Sequence, residues 1–323
     1  MRYVEVNGNR LSAVGLGTWQ FGSKDWGYGS EYADTEAGRI LLRALDLGVN
    51  VIDTAEIYGR GNSERIVGRA LGDRRKEAFV ATKVFPIAPT AGWVESHGRK
   101  SAQRIGIDVI DLYQIHWPNP LVPITQQMEG MRRLQQAGIV TDVGVSNFSL
   151  ERWRAAEAAL GSPVLSNQVQ YSLVARKPDA ELVPYAQAND RLVIAYSPLG
   201  MGLLSGRYTS ANPPKGSARL NNPLFLPETL DRAQPLIDAV RAVANAHDAT
   251  PAQVALAWVI SHPNVVAIPG ASSVAQLEAN IAAADLDLTI DEIASLTRAS
   301  DAFTPPTGAG AYVKVLQRRV LRK

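Results

Sequence analysis

The sequence predicts an α/β protein of the (β/α)8 TIM-barrel class, and three observations predict it. Eight short apolar runs rich in Val and Ile recur along the 323 residues, and helix-length segments separate them. Strands that alternate with helices form a parallel sheet, and at this length closure into a barrel is the default arrangement. Apolar residues make up 46% of the chain and charged residues 20%, enough to fill a barrel interior and a second layer under the helices. No Pro-, Gly- or Ser-rich linker divides the chain, so a single barrel domain over residues 1–323 is expected, with 302–323 as a C-terminal tail.

In chain order, residues 2–12 read as a β-hairpin: Tyr3-Val4-Glu5-Val6 turns at Asn7-Gly8-Asn9 into Arg10-Leu11-Ser12, because Asn-Gly favours a two-residue turn. Barrel strands are expected at Val14–Trp19, Val51–Asp53, Ala78–Lys83, Val109–His116, Val140–Ser146, Val164–Gln168, Leu192–Tyr196 and Val265–Pro269. Helices are expected between them at about 34–48, 62–71, 92–105, 124–137, 150–159, 179–189 and 250–261, with another at 274–284. Thr250-Pro251-Ala252-Gln253 combines a capping Thr, a Pro at the first helical position and a Gln at the third, which is a capping box. Extra helices are expected at 228–247 and 290–299. Residues 197–227 are rich in Pro, Gly, Ser and Asn, and a loop of that length is usually a lid or a binding loop. After residue 300, Pro305-Pro306-Thr307-Gly308 predicts an irregular tail able to fold over a barrel mouth.

Composition excludes several classes of chemistry. With no cysteine there is no disulfide, thiolate metal site, iron–sulfur cluster or cysteine nucleophile. The start of the chain lacks the apolar core of a signal peptide, and no run of eighteen apolar residues occurs, so a cytoplasmic protein without membrane contact is expected. Net charge is +2, but residues 314–323 hold five bases and no acid, which leaves the body at −3. A body of that charge is no nucleic-acid binder, and the basic end reads as a solvated helix. The expected state is a monomer or weak homo-oligomer.

In a barrel of this kind, chemistry collects at the C-terminal ends of the strands. Those ends carry Asp53, Lys83 and His116, each closing an apolar run, and Tyr58 follows in the loop after Asp53. A phenol is a poor acid at neutral pH, and a nearby ammonium such as Lys83 lowers its pKa. Asp53 can hold Lys83 charged and oriented, and His116 can donate a hydrogen bond to a carbonyl oxygen. Together they make a general acid for an oxygen that gains negative charge. Glu56, between Asp53 and Tyr58, reads as a turn or surface charge.

Asp53, Tyr58, Lys83 and His116 resemble the catalytic tetrad of the aldo-keto reductase superfamily. The likeness runs from Gly15-Leu16-Gly17-Thr18-Trp19 to about Asn280 and includes Gly144-Val145-Ser146-Asn147-Phe148, Asn167-Gln168, Tyr196-Ser197-Pro198-Leu199 and Ile268-Pro269-Gly270 in order. What the resemblance implies is hydride transfer from NADPH to an aldehyde or ketone, with Tyr58 as proton donor. It places Ser146, Asn147 and Gln168 on the carboxamide and Tyr196 on the nicotinamide ring. Thr18, Trp19, Gln20, Ser197, Pro198 and Leu199 join the cofactor contacts. Leu203, Ser205 and Arg207 resemble the pyrophosphate segment, and Gly270, Ala271, Ser272, Gln276 and Asn280 the adenosine-phosphate site. Well-studied members of the family carry Lys where Gly270 stands and Arg where Gln276 stands, so NADH is possible beside NADPH.

Trp19, Trp26 and Trp117 fall at or just past strand ends and predict an aromatic substrate pocket. Two rival readings stand beside the reductase. A metal-dependent barrel hydrolase would need several His or acids at strand ends, and His97, His247 and His262 fall on helices or in turns. A non-catalytic nicotinamide-sensing subunit would keep the tetrad without turnover.

Overall fold

The computed structural model describes residues 1–22, 31–306 and 308–321. The first pair of strands, β1 (Tyr3–Val6) and β2 (Asn9–Ser12), is the antiparallel hairpin, with Asn7 and Gly8 at positive φ (47° and 75°) as an Asn-Gly turn requires. Eight parallel strands follow: β3 (Leu16–Gly17), β4 (Val51–Asp53), β5 (Phe79–Val84), β6 (Ile110–Ile115), β7 (Val140–Ser146), β8 (Ser166–Gln170), β9 (Leu192–Tyr196) and β10 (Val265–Ala267). Each pairs with its neighbour in sequence.

Parallel bridges Val14↔Ala267 and Gly17↔Gly270 close the first strand on the last. The Gly15 amide donates to the Ala267 carbonyl at 2.8 Å and the Gly17 amide to Pro269 at 3.1 Å. Glycine is needed at 17, since a Cβ there would stand 2.7 Å from the Ile268 carbonyl oxygen. β3 is therefore shorter than the expected 14–19, because the flanking residues serve closure and the adjoining loop instead.

The period of two along each strand explains why polar residues gather at one end. Val51, Ala81, Leu112 and Ile194 fill the barrel interior as one buried cluster. Two residues further along the same strands stand Asp53, Lys83, Gln114 and Tyr196, pointing to the same side. At the opposite end, Val6 and Leu11 of the hairpin join the interior cluster and plug it. Asn7 and Asn9 pin the plug by donating to Asp142 of β7 at 3.2 and 3.0 Å.

The outer layer comprises α1 (Glu31–Asp46), α2 (Asn62–Leu71), α3 (Ala91–Ile105), α4 (Ile124–Gln136), α5 (Leu150–Leu160), α6 (Pro178–Ala188), α7 (Ser217–Leu220), α8 (Pro227–Ala246), α9 (Pro251–Ile260), α10 (Val274–Ile281), α11 (Ile290–Asp301) and α12 (Ala309–Leu321). The capping box forms at α9, where Thr250 accepts from the Gln253 amide and Gln253 accepts in return. Residues 254–260 of that helix are all buried, the pattern of a helix enclosed on every side.

The end of the chain departs from expectation. Residues 309–321 form a helix, as the reading of the basic end at 314–323 expects, but it begins five residues earlier, directly after Gly308 at φ 79° ends the Pro-rich stretch. The helix is not simply solvated: Ala311 and Val315 are buried, and Arg318 donates to the Phe225 carbonyl at 3.0 Å. Among the described residues, no helix is long and apolar enough to cross a membrane.

Candidate active site

The loops at the C-terminal ends of the strands surround a cavity of about 520 Å³. Asp53 and Lys83 stand side by side at its floor, at the ends of β4 and β5. Lys83 is fully buried, and its Nζ donates to both Asp53 carboxylate oxygens (2.7 and 2.9 Å) and to the Thr54 carbonyl (2.7 Å). Three acceptors take all three protons of an ammonium, so the pair is ionic although burial pulls the lysine pKa down.

Tyr58 is presented by a 3-10 turn over Tyr58–Gly61, in which Gly59 and Arg60 both take φ 55°. Its ring lies 5.1 Å from Lys83 Nζ and meets the His116 ring edge-on at 5.8 Å. Burial first, and then the Asp53 charge, push the phenol well above its ordinary pKa. The raising by burial and Asp53 prevails over the lowering expected from Lys83. With its protons committed to Asp53 and Thr54, the ammonium presents Tyr58 with half of a neutral pair. At neutral pH Tyr58 thus carries its proton. His116 is held neutral, its pKa lowered to about 3 by burial and then by Lys83. Its Nδ1 is buried without a partner among the described residues.

From the floor, a hydrogen-bonded chain crosses the cavity. Gln168 Nε2 donates to Asp53 at 2.7 Å, and the Ser146 hydroxyl donates to the Gln168 carbonyl at 2.9 Å. Asn147 Nδ2 donates to Ser146 Oγ and to the His116 carbonyl (3.0 and 3.2 Å), and Tyr196 Oη donates to Asn147 Oδ1 at 2.9 Å. Burial and then Tyr58 raise Tyr196 to about 12. Asn147 and Ser197, at the ends of β7 and β9, have left-handed backbones (φ 61° and 49°), a geometry uncommon for residues other than glycine and more readily taken by Asn than by Ser.

The cavity brings together Trp19, Gln20, Asp53, Tyr58, His116, Trp117, Ser146, Asn147, Gln168, Tyr196, Ser197, Pro198, Leu199, Gly270, Ser272 and Gln276 from the sequence reading, with Lys83 beneath Asp53. Trp19 and Trp117 are about half exposed at its mouth (48% and 46%). Trp26 lies outside the described residues.

Other expected contacts do not line the cavity. Thr18 is buried behind it, donating to the Asp53 carbonyl at 2.9 Å. Leu203 and Ala271 are core residues, and Asn280 supports the Gly270 carbonyl at 3.2 Å. Ser205 is spent on the Gly202 carbonyl, and Arg207 is exposed. The cation at the cavity is instead Arg219 of α7, the one Lys or Arg that lines it among the described residues. Sequence reasoning missed Arg219 because α7 is a four-residue helix inside a long loop, with no motif around it. Ile57, Phe85 and Met201 were also missed as lining residues, while Gly202, the first residue of the segment Gly202–Arg207 that resembles the pyrophosphate loop, does line it.

Near Gly270 the wall is neutral. Gln20 Nε2 donates to the Ala271 carbonyl at 2.8 Å, and a Cβ at 270 would stand 2.4 Å from the Gln20 amide. The Ser272 amide, ahead of α10, donates to Gln276 Oε1 at 2.9 Å. Among the described residues no group of three or more His, Cys, Asp or Glu is arranged to hold a metal ion.

A family model described as the Aldo/keto reductase family matches residues 13–301. An uncharacterized oxidoreductase of Mycobacterium tuberculosis (strain H37Rv) is 53% identical over the full length of both chains. A methylglyoxal reductase of Escherichia coli (strain K12) is 33% identical, over 93% of this chain and 94% of its own. The crystal structure of an aldo/keto reductase from Klebsiella pneumoniae in complex with NADP and acetate superposes with a TM-score of 0.74 at 31% identity, covering 95% of this chain and 96% of that one.

Proposed function

The chain belongs to the aldo/keto reductase family, and from that premise we propose that it reduces small aldehydes or ketones to alcohols with NADPH, Tyr58 giving the proton. One observation carries this reading: the Tyr58 phenol and the His116 imidazole meet edge-on at 5.8 Å over a buried Lys83–Asp53 pair, at a cavity of about 520 Å³.

The residues present fit a nicotinamide cofactor. Ser146, Asn147 and Gln168 offer the mixed donors and acceptors an amide needs, and Tyr196 offers a flat aromatic face. Arg219 suits the pyrophosphate charge. The neutral wall of Gln20, Gly270, Ser272 and Gln276 is compatible with NADH as well, since it offers no cation for an additional phosphate. When bound, the nicotinamide supplies the hydride. Tyr58 holds a proton at its phenol oxygen and delivers it to the carbonyl oxygen as charge develops there. His116, neutral, orients that oxygen by hydrogen bonding. Lys83, its Nζ 5.1 Å from the centre of the Tyr58 ring, supplies the positive charge that faces the phenolate left after transfer, and Asp53 holds it in place. Trp19, Ile57, Phe85 and Trp117 form an apolar face for the rest of the substrate. We place this chemistry in one barrel domain acting in the cytoplasm.

The test is loss of NADPH absorbance against a panel of aldehydes and ketones, repeated with NADH and with Tyr58→Phe. The expected result is turnover by the wild type and a loss of about 10²–10⁴-fold in kcat for Tyr58→Phe, with cofactor affinity preserved in a fluorescence titration. Full activity in Tyr58→Phe would overturn the assignment.

A further inference from the structure

Glu56 lies in the loop after β4, three residues beyond Asp53 and two before Tyr58. Of the two readings the sequence allows, turn or surface charge, it takes the turn and is no surface charge: its side chain is only 10% exposed. The ladder between β4 and β5 continues past the end of β4, with the Thr54 amide donating to Ala81 at 2.8 Å and the Glu56 amide to Lys83 at 3.3 Å. At the next rung the side chain of Glu56 stands in for a backbone carbonyl, and its Oε1 accepts from the Phe85 amide at 2.6 Å. One residue therefore grips β5 on both sides of Val84. Phe85 in turn lines the cavity and meets the His116 ring edge-on at 6.2 Å.

The other carboxylate oxygen faces α3. Oε2 accepts from His97 Nδ1 at 2.7 Å and lies 3.5 Å from Arg104 Nη2. Arg104 also donates to the fully buried Glu64 of α2, whose second oxygen accepts from Thr82 of β5 at 2.7 Å. Trp93 stacks on His97 at 4.2 Å and fixes the imidazole plane. A buried carboxylate is tolerated only when its lone pairs are filled by well-placed donors, and here a backbone amide, an imidazole and a guanidinium fill them from two elements.

We infer that Glu56 is a positioning residue for the proton-transfer step. It ties the Tyr58 loop, the end of β5 and α3 into one frame, so that Tyr58, Lys83 and the Phe85–His116 pair keep the separations that the reaction needs. It is absent from the cavity wall and acts only through its neighbours. The inference rests on the reductase reading above.

Three variants of the full chain separate this role from a merely structural one. Glu56→Ala removes both anchors. Glu56→Gln keeps an oxygen for the Phe85 amide and turns an N–H toward His97. Glu56→Asp keeps the charge but withdraws it by one methylene, and it serves where the alanine variant does not fold. Single-turnover NADPH oxidation is measured with a carbonyl that the wild type reduces, alongside cofactor titration and urea denaturation.

The expected result is a loss of about 10–100-fold in the single-turnover rate for Ala and Asp, the scale of a misplacement of about 1 Å, with cofactor affinity unchanged and the Gln variant restored to near the wild-type rate. Folded Ala or Asp variants that react at the wild-type rate would overturn the inference, as would a loss confined to stability or cofactor affinity. If the wild type reduces no carbonyl, or Tyr58→Phe is as active as the wild type, the reductase reading falls and this inference with it. If Tyr58→Phe is inactive while Glu56→Ala and Glu56→Asp match the wild type, only this inference falls.

Discussion

Lys83 has three N–H donors and meets three acceptors, which makes the Lys83–Asp53 pair the most exacting electrostatic element in the protein. Replacing only Lys83 by Met leaves the Asp53 carboxylate buried with Gln168 as its remaining side-chain donor. Lys83→Met is therefore expected to destabilise the fold by about 3–5 kcal/mol, and adding Asp53→Asn should recover part of that loss. Urea midpoints of the two variants check this; equal midpoints would mean that the pair is not what sets the cost. His116 gives a pH-dependent counterpart. Its folded pKa of about 3 lies below the ordinary 6.5, so between those values the unfolded chain binds a proton that the folded chain refuses. Stability from this group is complete above pH 6.5 and is lost as pH falls, by at most about 1.4 kcal/mol per unit. His116→Gln should flatten that part of the stability–pH profile, measured by urea midpoints between about pH 7 and pH 4. Asp53, Lys83 and His116 were legible because each closes an apolar run at the end of a strand, and Tyr58 because it follows Asp53 by a few residues. Glu56 and Arg219 were not legible, for a different reason. The partners of Glu56 lie 29 and 41 residues away, and only the fold brings them near.

Among elements, the strands and major helices fall close to their expected positions because hydrophobic periodicity and capping residues are local signals. α7 lacks such signals because it is four residues long, and the start of α12, though not its basic end, lies in a stretch just past Pro305 and Pro306 that reads as irregular. Contacts between elements are also invisible to periodicity, and α2 gives a clear case. Gly68 sits mid-helix, where Ala would ordinarily be preferred by about 1 kcal/mol. A Cβ there would stand 1.8 Å from the Ile105 carbonyl oxygen, at the end of α3. Backbone cannot yield as a flexible side chain can, so the overpacking cost of about 1–3 kcal/mol or more outweighs the gain in propensity. Gly68→Ala should lower the urea midpoint while leaving helical circular dichroism intact. It should also reduce turnover, because α2 directly follows the turn that presents Tyr58. A stabilised Gly68→Ala variant would show that α2 and α3 do not pack this closely in solution.

Across the whole molecule, the end of the chain reaches the cavity through a series of contacts. Arg318 of α12 donates to the Phe225 carbonyl at 3.0 Å, and Lys314 pairs with Glu228 at 3.3 Å. The Phe225 ring is buried and meets Tyr208 edge-on at 5.6 Å. The Arg219 guanidinium lies 5.7 Å from the centre of the Tyr208 ring, and Arg219 lines the cavity. The exposed Lys314–Glu228 pair contributes little to stability by itself, so the docking of α12 depends mainly on its buried positions, of which Val315 is only 4% exposed. A carboxylate placed there has no route to water while the helix stays docked, and releasing the helix is cheaper than burying the charge. Val315→Asp should therefore make residues 309–321 sensitive to limited proteolysis while the barrel stays resistant. With α12 released, Phe225 loses the partner of its carbonyl, and the loop that carries Tyr208 and Arg219 is held less firmly. Cofactor affinity should then fall by about tenfold, or roughly 1.4 kcal/mol of ordering cost carried by the loop on binding, and the single-turnover rate at saturating cofactor should hold. A proteolysed tail with unchanged cofactor affinity would break the proposed connection between the basic end of the chain and its cavity.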